Sequence, residues 1–150
     1  LGYRYNRLEG SRVLQPLPQL HPSASALTSL LNDYSAAFLA LDASAITKLY
    51  RLPCAIVDAD GPQVFQDDRS LYTKFAANCV QLQQLGLSQV QFQIIAIDTL
   101  SDTQACMHVA WRVSLTHADI DFRTLYICHQ QRQQWQIFST NVYPGIFPHE

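Results

Sequence analysis

Between Ser23 and Leu41 the apolar side chains keep to one face of a helix. Leu27, Leu30, Leu31, Tyr34, Phe38 and Leu41 follow an i, i+3, i+4, i+7 pattern, which is the period of an α-helix. No other feature constrains the fold as much, because a stripe this long needs a covering surface along its whole length. Ser23 or Ser25, just after Pro22, is placed to cap the start. Ala36, Ala37 and Ala40 keep helix propensity high. Asp42 breaks the pattern and is placed to cap a second, short helix with Ile46, Leu49 and Tyr50 turned inward, and Pro53 is expected to stop it. Cys54 to Val57 reads as a buried strand. Asp60-Gly61 is a hairpin signal, and Val64-Phe65 begins the return.

The remainder supplies the cover. Asp67 or Asp68 caps a third helix, with Leu71, Phe75, Cys79 and Leu82 on its inner face and Gly86 at its end. From Ser88 the period changes to two. Val90, Phe92 and Ile94 alternate with glutamines, and the switch of phase at Ile95 and Ile97 predicts a bulge. Ala105 to Leu115 is a long strand with Met107, Val109, Trp111 and Val113 on one face. Phe122 to His129 and Trp135 to Val142 complete a meander, with Gln130 to Gln134 as a turn. Helices segregated from antiparallel strands make an α+β fold. The expected organisation is an N-terminal arm over residues 1–22, a single domain over 23–143 and a short tail over 144–150. Leu1 stands where a Met would begin a chain, so a leader, tag or upstream segment is expected to be missing.

Composition narrows the function. A net charge of −2 leaves no electrostatic footprint for nucleic acid. No apolar run approaches a membrane span, and the start lacks the apolar core of a signal peptide. The four cysteines, Cys54, Cys79, Cys106 and Cys128, form no CxxC pair and sit in apolar settings. They read as free thiols of a reducing, cytoplasmic compartment. Only 15% of residues are charged, and glutamines such as Gln89, Gln91 and Gln93 take over polar positions. Such a surface is expected to be covered by a partner.

The residues leave chemistry open. Tyr34 lies on an apolar face, so its hydroxyl needs an interior partner; it is either a core tyrosine or a pocket donor. Asp58 ends an apolar run and is either a turn acid or a partly desolvated carboxylate. Arg112 and Arg123 are expected to pair with Asp119 or Asp121, or to bind an anion. His108 and His129 are surface groups or face a cavity. No HxH, HxxxH or Cys/His cluster supports a metal, Ser139 and Thr140 lack a base for a hydrolase triad, and no cofactor is expected.

The runs Leu30-Leu31-Asn32-Asp33-Tyr34-Ser35-Ala36-Ala37-Phe38, Leu41-Asp42-Ala43, Ile46-Thr47-Lys48-Leu49-Tyr50 and Ala55-Ile56-Val57-Asp58, with the helix after Asp67, together resemble the nuclear-transport-factor-2-like superfamily. That superfamily includes ketosteroid isomerase and polyketide-cyclase-like proteins. The resemblance covers roughly residues 25 to 143. It implies a cystatin-like cone, with a curved, mostly antiparallel sheet wrapped around the long N-terminal helix and enclosing a pocket. It also implies a homodimer through the outer sheet face. Placed on ketosteroid isomerase, Tyr34 falls at the oxyanion-hole tyrosine and Asp58 at the general base. The third position, a protonated aspartate in that enzyme, falls at Leu125, between Thr124 and Tyr126. Leu125 has no proton to donate, which departs from the isomerase pattern.

Tyr50, Phe75, Trp111 and Leu125 are then expected to wall the pocket. The resemblance implies a domain binding a small apolar or carbonyl-containing molecule, with proton-transfer isomerase or cyclase-like activity. The alternative is a non-enzymatic dimerisation or interaction domain whose cone is filled by its own side chains.

Overall fold

The computed structural model describes residues 23–149, so the arm expected over 1–22 lies outside the described residues. Helices α1, α2 and α3 cover Ser23–Leu39, Ala43–Lys48 and Asp68–Gln84. Strands β1 to β6 cover Tyr50–Asp58, Gly61–Phe65, Gln89–Ser101, Gln104–Ser114, Asp119–Gln131 and Gln134–Tyr143. The strands form one sheet in the order β2-β1-β6-β5-β4-β3. Every neighbouring pair is antiparallel except β1 with β6. This is the α+β, cystatin-like arrangement that the sequence predicts.

The stripe on α1 is the centre of the core. Leu27 and Leu31 are fully buried, and Leu30, Tyr34 and Ala37 nearly so. Full burial of each such leucine contributes roughly 1.5–3 kcal/mol. They share one cluster with Met107, Val109 and Trp111 of β4, Tyr126 and Cys128 of β5, and Ile137 of β6. The helix closes on Leu41, which takes a left-handed conformation at φ 55. Leu41 N–H then donates to Phe38 O and Asp42 N–H to Ala37 O, both at 2.9 Å, so the last carbonyls find partners without a glycine.

Asp42 caps α2 by accepting from Ala45 N–H at 3.0 Å. Here the expectation that Tyr50 belongs to this helix and that Pro53 ends it is corrected. Leu49 already caps α2, its N–H returning to Ile46 O and Thr47 O. Tyr50 opens β1 and pairs with Ile137 of β6. Pro53 lies inside β1, in the interval between Tyr50 and Ala55 where the register with β6 shifts. A residue without an N–H is tolerated there because no sheet bond is expected of it.

Asp67 caps α3 through Ser70 N–H at 2.8 Å. After α3 the chain turns at Gly86, φ 79. A side chain there would collide with Thr116, so the position needs glycine for space as well as for backbone freedom. The bulge expected near Ile95 appears as a register shift between Ile94 and Ala96, and a second lies between Ile127 and Cys128. Such shifts bend long strands and let the sheet curl around α1. Residues 144–149, the described part of the tail, fold back along the sheet. Arg123 Nε and Nη2 donate to Ile146 O at 3.0 and 2.9 Å, and Phe147 N–H donates to Asp121 Oδ2 at 3.0 Å.

Candidate functional site

A cavity of about 550 Å³ lies between α1, α3 and the inner sheet face. Its inner end is the aromatic cluster beside α1, where Tyr34, Tyr50, Tyr126, Thr124 and Thr140 are all buried. Phe38, Phe75, Val90, Phe122 and Val142 form its apolar walls. At its mouth are Asp60, whose side chain is 76% exposed, and Lys74.

Hydroxyls converge at the inner end. Tyr34 Oη lies 2.8 Å from Tyr50 Oη, and Tyr50 Oη lies 2.6 Å from Thr140 Oγ1. Two contacts among three hydroxyls consume two of three O–H protons, so one proton is left over for another acceptor. Tyr126 is buried beside them. Trp111 Nε1 donates to Thr124 Oγ1 at 3.0 Å. The rings close around Tyr34, whose centroid lies 5.9 Å from that of Trp111 and 5.7 Å from that of Tyr126.

Burial raises the Tyr34 hydroxyl well above the ordinary phenol value, and the charge that Tyr50 would carry raises it further. Tyr50 is raised by burial and then by Tyr126, and Tyr126 by burial and then by Tyr34. All three therefore stay neutral and keep their protons as hydrogen-bond donors.

Asp58 combines the two roles that the sequence left open. Its Oδ1 accepts from Asp60 N–H at 2.9 Å, the geometry of a turn acid. Its Oδ2 meets Lys74 Nζ at 2.8 Å, and the residue lines the same cavity as Tyr34. The sequence reading did not include Lys74. It sits one residue before Phe75 on α3, at the shoulder of the apolar stripe, and its side chain is only 10% exposed. A lysine beside an inner-face aromatic, facing Asp58 and Asp60 on the hairpin, was the available signal.

Of the expected walls, Tyr50, Phe75 and Trp111 line the cavity. Leu125 does not, and this is a correction. Along β5, side chains alternate between faces. Phe122, Thr124 and Tyr126 point inward with Trp111, while Leu125 pairs with His108 and Asn141 on the outer face. The inward side chains on either side of Leu125 are the hydroxyl-bearing Thr124 and Tyr126.

Other candidates lie away from the cavity. Arg112 grips Asp121 with two bonds, at 2.8 and 2.9 Å. His108 stands 3.9 Å from Asp98, and His129 Nδ1 lies 3.0 Å from Arg51 Nη1. All four cysteines are free. Burial pushes Cys54 up to about 11 and Cys128 up to about 12, which makes both poor nucleophiles. Among the described residues no three His, Cys, Asp or Glu side chains are grouped to hold a metal. Among the described residues no helix is long and apolar enough to cross a membrane.

A six-stranded sheet curled around one long helix, with a cavity reached past a third, defines a nuclear-transport-factor-2-like domain. The family described as NTF2-like protein (DUF6841) matches residues 25–145, and this chain belongs to it. No curated protein matches the chain. Among solved structures, one similar protein is an NTF2-like protein of unknown function from Shewanella oneidensis. It shares 16% identity over 79% of this chain and 96% of its own, with a TM-score of 0.67. A domain of unknown function with a cystatin-like fold from Nostoc punctiforme shares 13% identity over 86% of this chain and 81% of its own, TM-score 0.70. A ketosteroid isomerase-like protein from Erwinia carotovora atroseptica shares 12% identity over 82% and 96%, TM-score 0.63. At such identities the likeness establishes the fold, and function must come from the site.

Proposed function

We propose that this chain is a small-molecule-binding domain whose cavity takes a largely apolar, carbonyl-bearing molecule. The carbonyl oxygen sits on the hydroxyl cluster of Tyr34, Tyr50 and Tyr126. The observation that carries this reading is the convergence of three buried, neutral phenols on the inner end of a cavity with apolar side walls. An acceptor oxygen there takes the proton that the Tyr34–Tyr50–Thr140 chain leaves over. The volume falls within the range of roughly 300–1,000 Å³ that suits one compact organic ligand.

The reaction that this arrangement favours is proton transfer beside the carbonyl. Asp58 takes a proton from the adjacent carbon, the C–H electron pair moves into the carbonyl system, and the phenols hold the oxygen as it becomes negative. Tyr126 and Thr124 supply the donors that Leu125 cannot. Lys74 must release Asp58 as the carbon acid approaches.

The test uses 2-acetylnaphthalene, an apolar ketone with one acceptor. A Trp135→Phe background leaves Trp111, on the cavity wall, as the fluorescent reporter. Saturable binding is expected, weakened about tenfold by Tyr34→Phe, the loss of one good hydrogen bond. Absence of saturable binding by the parent, or equal binding by a folded Tyr34→Phe variant, would end this reading.

We also propose a homodimer through the outer sheet face. Phe138 and Leu100 are about half exposed there, in a face that also carries Leu125, Ile127 and Cys106. Sedimentation at micromolar concentration tests it, and a monomer counts against it. The four free thiols support a cytoplasmic setting.

A further inference from the structure

The cavity occupies one end of the cone, and the opposite end holds a buried donor with nothing to donate to. Tyr34 and Phe38 from the second half of α1 line the cavity, with Val90 near the start of β3 and Val142 near the end of β6. Leu27, Leu30 and Leu31, in the first half of α1, are instead buried in the core with Ala105, Cys128 and Trp135. Those three stand at the start of β4, the end of β5 and the start of β6. Helix α1 therefore begins at the base of the cone, away from the cavity. The rim of this base is continuous. Gln130 N–H donates to Thr103 O in the β3–β4 turn at 2.8 Å, and Gln130 pairs with Trp135. Trp135 is 6% exposed, against 0% for Cys128 and Ile137, which puts the indole at the rim. Its Nε1 is buried and has no acceptor among the described residues, a costly state for a group that can only donate. The exposed Asp98 and Asp102 make the β3 side of the same end acidic.

We infer that this base docks the chain's own N-terminal arm, with residues 15–18 laid across the rim as acceptor for Trp135 Nε1 and Arg12 drawn to Asp98 and Asp102. The arm, residues 1–22, lies outside the described residues, and its chemistry is read from the sequence. Pro16 and Pro18 have no N–H and favour an extended chain at Gln15 and Leu17. An extended proline-rich segment makes no internal hydrogen bonds, so its carbonyls are free to accept from an indole, as in other aromatic-lined proline-binding grooves. Leu17 and Leu20 add apolar cover. The reach fits. Pro18 stands five residues before Ser23 and Arg12 eleven, spans of at most about 18 and 40 Å. The charges match as well. Arg4, Arg7 and Arg12 against Glu9 give the arm +2, and the chain's −2 then leaves −4 for residues 23–150. The chain's own arm is favoured over a second copy's because Ser23, where it joins α1, stands at the same end.

NMR on the isotopically labelled full chain at low salt tests this, with the Trp135 indole N–H assigned by its loss in Trp135→Phe. That proton is expected to show nuclear Overhauser contacts with the side chains of residues 15–18. The contacts should persist when labelled chain is diluted into excess unlabelled chain, which is the signature of an arm docked on its own molecule. Arg12→Glu should speed solvent exchange of the indole proton about threefold, the scale of one exposed ion pair. Adding Asp102→Arg to that variant should bring the rate back. Contacts from the indole proton to residues 23–149 alone would overturn the inference. So would contacts that vanish on dilution into unlabelled chain, or exchange unmoved by Arg12→Glu.

Discussion

The hydroxyls of Tyr34 and Tyr50 lie 2.8 Å apart although sixteen positions separate the residues in the chain. The contact ties α1 to the first residue of β1, and Thr140 at 2.6 Å from Tyr50 carries the tie on to β6. The same hydroxyl chain that knits three elements together forms the polar end of the cavity. Under the proposed function, a substitution at these residues changes stability and ligand binding together.

Tyr50→Phe should be the costlier of the two hydroxyl deletions. Tyr50 bonds to both Tyr34 and Thr140, so its loss strands two buried groups, at about 1–3 kcal/mol. Tyr34→Phe strands fewer and should cost about 1 kcal/mol. Urea unfolding of both singles and the double should show a double cost below the sum, the sign of a shared interaction. Additive costs would place the hydroxyls outside one network.

Alkaline pH should destabilise the fold. Tyr34, Tyr50 and Tyr126 are raised above the ordinary phenol value of 10.0, chiefly by burial. Their contribution is fully present below that value. As pH rises past it the unfolded chain gives up protons that the native state keeps, so stability falls. Each group contributes up to about 1.4 kcal/mol per pH unit. Cys54 and Cys128, raised from 9.0 to about 11 and about 12, act in the same direction from a lower pH. Denaturant midpoints measured on rising through this window should drop steadily, and less steeply in Tyr126→Phe. A flat profile would contradict burial of the phenols.

The helices were legible because their signals are local. The stripe from Leu27 to Leu41, the cap at Asp42 and the glycine at Gly86 each act within a turn of chain. Tyr34 and Asp58 could be nominated for one site because a helix face and a strand end were both readable. Two features were not. Pro53 looks like a helix stop, yet tertiary pairing of Tyr50 with Ile137 starts the strand first and leaves the proline in a register shift. Leu125 was misplaced because a one-residue slip in a strand exchanges its faces, and only pairing with β4 fixes which face is inner. The turn at Arg132 and Gln133, both at positive φ without glycine or asparagine, shortens what looks like a five-residue loop. Lys74 was hidden because its role depends on Asp58, brought close by the fold.

Thr124 should matter more than Leu125. Thr124→Val leaves the Trp111 indole N–H buried without its acceptor, at about 1–3 kcal/mol. It should also shift Trp111 emission and weaken binding of 2-acetylnaphthalene. Leu125→Ala, on the outer face, should leave ketone affinity within about twofold, the scale of surface changes. The reverse ranking would mean that β5 is turned over.

The tail should be released by acid. Asp121 is held down to about 2, first by Arg112 and then by Phe147 N–H. A lowered carboxyl contributes stability that is present above its unfolded value of 3.8 and is lost as pH falls through about 2. Asp121→Asn should mimic that loss at neutral pH, and the Phe147 amide should exchange hydrogen severalfold faster than in the parent. Unchanged exchange would show that the tail is held by Arg123 and Ile146 alone.

The most direct measurement is a crystal structure of the protein soaked in 2-acetylnaphthalene, read for the position of one atom. The predicted result places the carbonyl oxygen within hydrogen-bonding distance of the Tyr34 hydroxyl, with the ring system between Phe38 and Phe75. A ketone bound with its oxygen at Lys74 and its rings against the tyrosines, or bound only outside the cavity, would contradict the account.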